Sequence, residues 1–268
     1  VNYSEEPNEA EFTEEDFLFE EDEDTEHEPL VARKWIKRVI AGLVAVMLLG
    51  NLVAFFPTVF SLQAIQFLKK TRQLSQLEHI QQYKKAIVVV KADDRKGTGF
   101  NITEQGLIIT NEHVVGDAKF ASINFDEGGI HQAEVIVADP SIDIAILRVL
   151  SEEGQSFPTL RLSQEKQWQV GIPIYVIGNP LFFNRIANEG TVWGQTMIEN
   201  WELPVMTIQA PIYKGNSGSP IIDQDGHVIA VVFATTSINN NGDKMKVGLA
   251  IPIHYLFERY SNIVPSST

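Results

Sequence analysis

From residue 86 onward the chain offers almost no long stretch of helical periodicity, only short runs rich in β-branched residues broken by turn signals. The runs lie at 87–90, 99–102, 107–110, 121–125, 133–137, 144–149, 173–177, 190–193, 205–210 and 228–233. Asp225-Gly226 has the composition of a tight hairpin turn. Many short strands at this spacing predict an all-β sandwich or barrel. A chain of 268 residues is long enough to bury a substantial core.

Within this pattern one segment carries chemistry. Gly215-Asn216-Ser217-Gly218-Ser219-Pro220 puts a serine between glycines on a tight turn, where the amides of Gly215 and Ser217 can face one spot. A serine hydroxyl is a poor nucleophile near neutral pH and needs a base, for which imidazole has a suitable pKa. Thr110-Asn111-Glu112-His113-Val114-Val115 supplies His113 at the end of an apolar run, and Asp143 opens another in Ser141-Ile142-Asp143-Ile144. The Asp143 carboxylate can hold the imidazole in one tautomer. Taken singly, each residue also has a plain reading as a core histidine, a turn acid or a glycine-rich turn. The order His, Asp, Ser is that of one serine-hydrolase arrangement.

Further blocks follow the same order: Lys96-Gly97-Thr98-Gly99-Phe100, Ile177-Gly178-Asn179-Pro180, Ile221-Ile222-Asp223 and Val247-Gly248-Leu249-Ala250-Ile251-Pro252. With them the chain resembles the trypsin-like peptidases, and most of all their HtrA/DegP branch, from about residue 85 to 260. The resemblance implies two six-stranded β-barrels of the chymotrypsin type with the active site between them, and a closing helix near His254. His113 and Asp143 would come from the first barrel and Ser217 from the second, with Gly215 and Ser217 forming the oxyanion hole. Pro211 stands where trypsin-like enzymes specific for Lys or Arg carry an acid, and Ile212 stands at a pocket-wall position, which implies small aliphatic P1 side chains. The substrate backbone would add along Val232, Phe233, Ala234 and Thr235. The polar segment 235–246 reads either as a mobile activation loop or as a surface hairpin. Protein or peptide substrates and a trimeric assembly are implied by the branch. HtrA-type proteins carry PDZ domains after the protease, whereas this chain stops shortly after Tyr260, so sensing by a PDZ groove is not expected.

The segment before residue 86 has another character. Fourteen of the thirty-five acidic residues lie in 1–31, which has no Lys or Arg, leaving twenty-one acidic against twenty-one basic residues beyond it. The segment 1–31 is expected to be a disordered, acidic, cytoplasmic tail. With a neutral body, nucleic acid is not an expected partner. There is no cysteine, and the six histidines show no metal-ligand spacing, so neither metal nor cofactor is expected. A basic flank and an uncharged apolar run over 32–60 predict a transmembrane helix. The apolar run 39–60 would reach about 33 Å as a helix; a cleaved signal peptide is the competing reading. The basic cluster before it places the N-terminus in the cytoplasm and the rest outside. Residues 61–85 predict a solvated helical stalk, leaving 86–268 as the protease domain. The whole reads as a single-pass, membrane-anchored serine endopeptidase acting in extracytoplasmic protein quality control or processing. A tethered binding or scaffolding module of the same fold, or an esterase, are the alternatives.

Overall fold

A computed structural model of the chain describes residues 30–59, 69–165, 168–180, 183–199, 201–240 and 243–265. Two compact units are distinguished, Val1–Ser61 and Leu62–Thr268. In the first, helix α1 (Leu30–Val59) covers the basic flank and nearly all of the apolar run. Its side chains are described over 35–50, where Leu43, Met47 and Leu48 are exposed. Among the described residues no helix is long and apolar enough to cross a membrane. The expected acidic tail, through residue 29, lies outside the described residues.

In the second unit, residues 69–74 are helical and helix α2 (Glu78–Lys85) leads into the first strand. Over its described part the segment expected to stand in solvent is packed down: Ile80 is fully buried, and with Leu74 it joins the main apolar cluster of the barrels. One fully buried residue in an otherwise polar helix is a weak sequence signal, which is why the docking was not visible in composition.

Strands β1 (Ile87–Ala92), β2 (Arg95–Asn101), β3 (Leu107–Thr110), β4 (Phe120–Asn124), β5 (Ile130–Asp139) and β6 (Ile144–Val149) close into a barrel in the order β1-β2-β3-β6-β5-β4. After the two-residue strand β7 (Arg161–Leu162) come β8 (Pro173–Gly178), β9 (Ile186–Thr196), β10 (Val205–Gln209), β11 (Pro220–Ile222), β12 (His227–Asn240) and β13 (Asp243–Pro252). These six run in the order β11-β8-β9-β10-β13-β12, and pairing of β11 with β12 closes the second barrel. Strand β7 adds to β12 in parallel. The double barrel expected from the resemblance is therefore present, as is a closing helix, α4 (His254–Tyr260).

The strand sequences explain the packing. Successive side chains point to opposite faces, so a strand buried on both faces reads as a continuous apolar run. In β1, Val88, Val90 and Ala92 fill the first barrel while Ile87 joins the cluster shared by both barrels. Strand β6 divides likewise, Ala145, Leu147 and Val149 inward and Ile144 and Ile146 outward. The second barrel has its own interior cluster, including Ile174, Val176, Ile208 and Ile221.

The sequence pattern misses three strands, β7, β11 and β13. The first two are only two and three residues long, and β13 begins in the polar run Asp243-Lys244-Met245-Lys246. That polar run pairs with the end of β12 out to Asn240 opposite Asp243. Residues 235–240 and 243–246 are thus paired strands, as the hairpin reading of this segment expects.

Candidate active site

Strand β3 ends at Thr110, and after Asn111 the chain turns into the short helix α3 (Glu112–Val115), which carries His113. The histidine is therefore on a helical turn just past the end of the apolar strand. Asp143 stands at the mouth of β6 in a left-handed conformation, φ 48°. A non-glycine residue there costs on the order of 1 kcal/mol and persists only where the surroundings enforce it. The enforcing bonds are visible. The buried Asn111 donates through Nδ2 to the Asp143 carbonyl at 2.9 Å, and the His113 amide donates to Asp143 Oδ1 at 2.9 Å. The imidazole completes the corner, with Nδ1 at 3.0 Å from Oδ1 and 2.8 Å from Oδ2. With Nδ1–H donating to the carboxylate, Nε2 is the ring atom left to accept a proton.

The loop before Asp143 is tied to helix α4. Asp139 accepts from the Ser141 amide (2.9 Å), Ser141 Oγ (2.6 Å), Arg259 Nη1 (2.9 Å) and Tyr260 Oη (2.6 Å). Burial pushes the Asp139 carboxyl up, but the bonds from Ser141, Tyr260 and Arg259 together hold it below the usual range. Burial, then the bond to Asp139 and its charge, push the Tyr260 hydroxyl up to about 12.

The serine turn leads into β11, and its position relative to α3 is reported by Gly97. A Cβ on Gly97 would lie 2.6 and 2.9 Å from the Val114 methyls and 3.1 Å from the Ser217 carbonyl oxygen. Gly97 thus lies between Val114, the residue after His113, and the Ser217 carbonyl, with the histidine helix on one side of it and the serine turn on the other. The Thr98 amide donates to that same Ser217 oxygen at 2.8 Å. Among the described residues, neither the Gly215 nor the Ser217 amide donates to another protein group, while Asn216 N bonds Tyr213 O (3.1 Å) and Gly218 N bonds Val232 O (2.8 Å). The two amides expected to form an oxyanion hole are the unspent ones.

The remaining expected positions divide. Ile212 is buried in the interior cluster of the second barrel, where a Cβ on Gly248 would meet its Cγ1 at 3.0 Å. Val232 is buried, its amide bonded to Ser219 O and its carbonyl to the Gly218 amide. Phe233, Ala234 and Thr235 differ: β11 pairing stops at Pro220 opposite Val231, and a bulge interrupts the β13 register between Val232 and Ala234. Beyond Val231 that edge of β12 has no strand partner among the described residues. The Phe233 ring stacks on Trp201 at 4.9 Å. Among the described residues, no group of three or more His, Cys, Asp or Glu side chains could hold a metal.

Thr98, Asn111 and Asn179 were not singled out as functional by sequence reasoning. All three are buried polar residues inside the quoted blocks, and that placement was the available signal.

The sequence profile of the trypsin-like peptidase domain matches residues 97–231 of the 268. The chain belongs to this family. Among curated trypsin-like relatives, the "Probable periplasmic serine endoprotease DegP-like" of Pseudomonas putida (strain W619) is 31% identical over 159 residues, covering 59% of this chain and 32% of that protein. Its namesake from Chlamydia muridarum (strain MoPn / Nigg) is 32% identical over 164 residues, covering 60% and 32%. The chain thus spans about a third of the length of these relatives. Among solved structures, the inactive form of the Rv3671c protease superposes with a TM-score of 0.59 at 24% identity, over 72% of this chain and 95% of that one. An alanine mutant of Rv3671c from M. tuberculosis H37Rv, also inactive, gives the same score over 71% and 92%. At this identity the likeness concerns the fold.

Proposed function

We propose that this trypsin-like chain is a serine endopeptidase of the HtrA/DegP type, with Ser217 as nucleophile, His113 as general base and acid, and Asp143 as the group that orients and stabilises the imidazolium. The observation that carries the proposal is the His113–Asp143 pair lying beside the Ser217 turn across Gly97. Ser217 Oγ attacks the scissile carbonyl carbon and gives its proton to His113 Nε2. The carbonyl oxygen becomes an oxyanion met by the amides of Gly215 and Ser217. Collapse breaks the C–N bond, and the imidazolium protonates the leaving amine. Water, deprotonated by the same imidazole, then hydrolyses the acyl ester and restores the serine.

The open edge at Phe233, Ala234 and Thr235 suits a substrate bound as an added strand. With Pro211 in place of an acid and Ile212 apolar, the P1 pocket takes small aliphatic side chains. The apolar run in α1 and the basic cluster before it support a tether with the N-terminus in the cytoplasm and the barrels outside, in protein quality control or processing, consistent with relatives named as periplasmic. The branch points to a homotrimer, which light scattering of the detergent-solubilised chain would read.

Treating the full chain with a fluorophosphonate probe tests the reading. Stoichiometric labelling at Ser217, lost in His113→Ala, is the expected outcome. A chain that binds unfolded protein but takes no label would instead be a scaffolding module.

A further inference from the structure

The alternation of spent and unspent amides around Ser217 has an identifiable source. Gly215 O and Asn216 N belong to one peptide plane, held at its oxygen by Thr98 Oγ1 (2.7 Å) and at its nitrogen by Tyr213 O (3.1 Å). Ser217 O and Gly218 N belong to another, held by the Thr98 amide (2.8 Å) and by Val232 O (2.8 Å). The two planes that carry the Gly215 and Ser217 N–H groups adjoin these pinned ones, and that of Ser217 is also held at its oxygen, Asn216 O, by the Ser219 amide (2.9 Å). A single first-barrel residue therefore grips both pinned carbonyls.

The direction of the Thr98 hydroxyl is itself fixed. A hydroxyl has one proton and two lone pairs. Thr98 Oγ1 accepts from the Asn179 amide at 2.9 Å and from Asn179 Nδ2 at 3.3 Å, which leaves its proton for Gly215 O. Asn179 is in turn held by Nδ2 donating to Val88 O (2.8 Å) and by Oδ1 accepting from the Arg185 amide (3.0 Å). Arg185 is buried, and its guanidinium fastens the β8–β9 connection to the first barrel through Ile87 O (3.1 Å), Asn124 O (3.0 Å) and Asp126 Oδ1 (3.0 Å). The Thr98 carbonyl accepts from Thr110 Oγ1 at 2.6 Å, and the bare Cα of Gly218 lies against it, since a Cβ there would approach to 1.9 Å.

We infer that Thr98 is a positioning residue for the oxyanion-hole amides, with its hydroxyl aimed by Asn179, so that the Arg185 and Asn179 connection of one barrel sets the nucleophile turn through a side chain of the other. The inference rests on the peptidase reading for its catalytic consequence, but the grip itself can be measured without activity. Two readouts on the full chain separate them: amide hydrogen exchange of the Tyr213 to Ser219 segment, and the kinetics of Ser217 acylation and peptide hydrolysis.

Thr98→Val keeps the shape and removes the hydroxyl. It should speed exchange in the turn by about tenfold or more and lower kcat by on the order of 10- to 100-fold. KM and the pH midpoint of the rate should stay in place, because the His113–Asp143 corner is untouched. Thr98→Ser, which retains the hydroxyl, should restore both readouts to within about threefold. Asn179→Asp offers the hydroxyl a competing acceptor and should weaken the turn in the same direction with Thr98 present, so it carries the test if Thr98→Val does not fold. Turn exchange and kcat unchanged in Thr98→Val and Asn179→Asp, or Thr98→Ser as damaged as Thr98→Val, overturns the inference. Absence of labelling in the wild-type chain overturns the peptidase reading instead, and the exchange measurement still decides the grip.

Discussion

The two halves of the candidate site are supported in different ways. The His113–Asp143 corner is built within the first barrel, from Asn111, the His113 amide and the carboxylate itself, over a separation of about thirty residues. The Ser217 turn belongs to the second barrel but is held by Thr98, 117 residues before Gly215. Among the described residues it leaves the buried Asn216 Nδ2 and Oδ1 and Ser219 Oγ without hydrogen-bond partners, against Asn111 Oδ1 in the corner. The bonds inside the corner form when the first barrel folds, although the loop before Asp143 is also tied to helix α4 through Asp139. The turn is borrowed only in part: it has bonds of its own, from Asn216 N to Tyr213 O, Gly218 N to Val232 O and Ser219 N to Asn216 O, but gains those to Thr98 only where the barrels meet, so its final shape depends on both.

Substitutions on the two sides sharpen this contrast. Ser217→Ala should lower turnover of casein by on the order of 10⁶ without changing the fold, and Asp143→Asn should lower it by about 10⁴ through the wrong tautomer. Unchanged hydrolysis in either removes that residue from the mechanism. Gly218→Ala attacks the borrowed half: φ is +84° and the new methyl would meet the Thr98 carbonyl. It should cost about 1–3 kcal/mol of stability and about 100-fold in kcat, read by thermal unfolding beside kinetics. If the turn were self-supporting, the two losses would part, with stability falling and kcat unchanged.

The smallest effect is expected at the link between Asp139 and helix α4. The Asp139 carboxyl is held below its ordinary range, so its contribution is present at neutral pH and is lost as pH falls from about 4 through the lowered value. Tyr260, raised to about 12, contributes fully below about pH 10 and loses that contribution as pH rises toward 12. Tyr260→Phe should cost about 1 kcal/mol, shift the acid limb of unfolding upward and flatten the alkaline limb, with kcat within about twofold. A Tm against pH curve that matches wild type at both ends contradicts the assignment.

How much was legible depended on the distance over which a residue acts. Strands 107–110 and 144–149 are legible to the residue, because side chains buried on both faces leave a nearly continuous apolar run, interrupted only by the exposed Arg148 in the second. The His, Asp and Ser segments were legible because each sits at a strand end beside turn residues. Thr98 and Asn179 were not, since a short polar side chain next to glycine or proline looks like turn chemistry until a partner 81 residues away is placed beside it. The docking of α2 was hidden for the opposite reason, resting as it does on one buried isoleucine among polar neighbours.

The structure of the chain phosphonylated by a fluorophosphonate would test the convergence of the two halves most directly. The account predicts the phosphorus on Ser217 Oγ, its oxygen about 3 Å from the amides of both Gly215 and Ser217, and His113 Nε2 within hydrogen-bond reach of the adduct. A phosphoryl oxygen turned away from those amides, or an imidazole held by Asp143 but out of reach of Ser217, would contradict it.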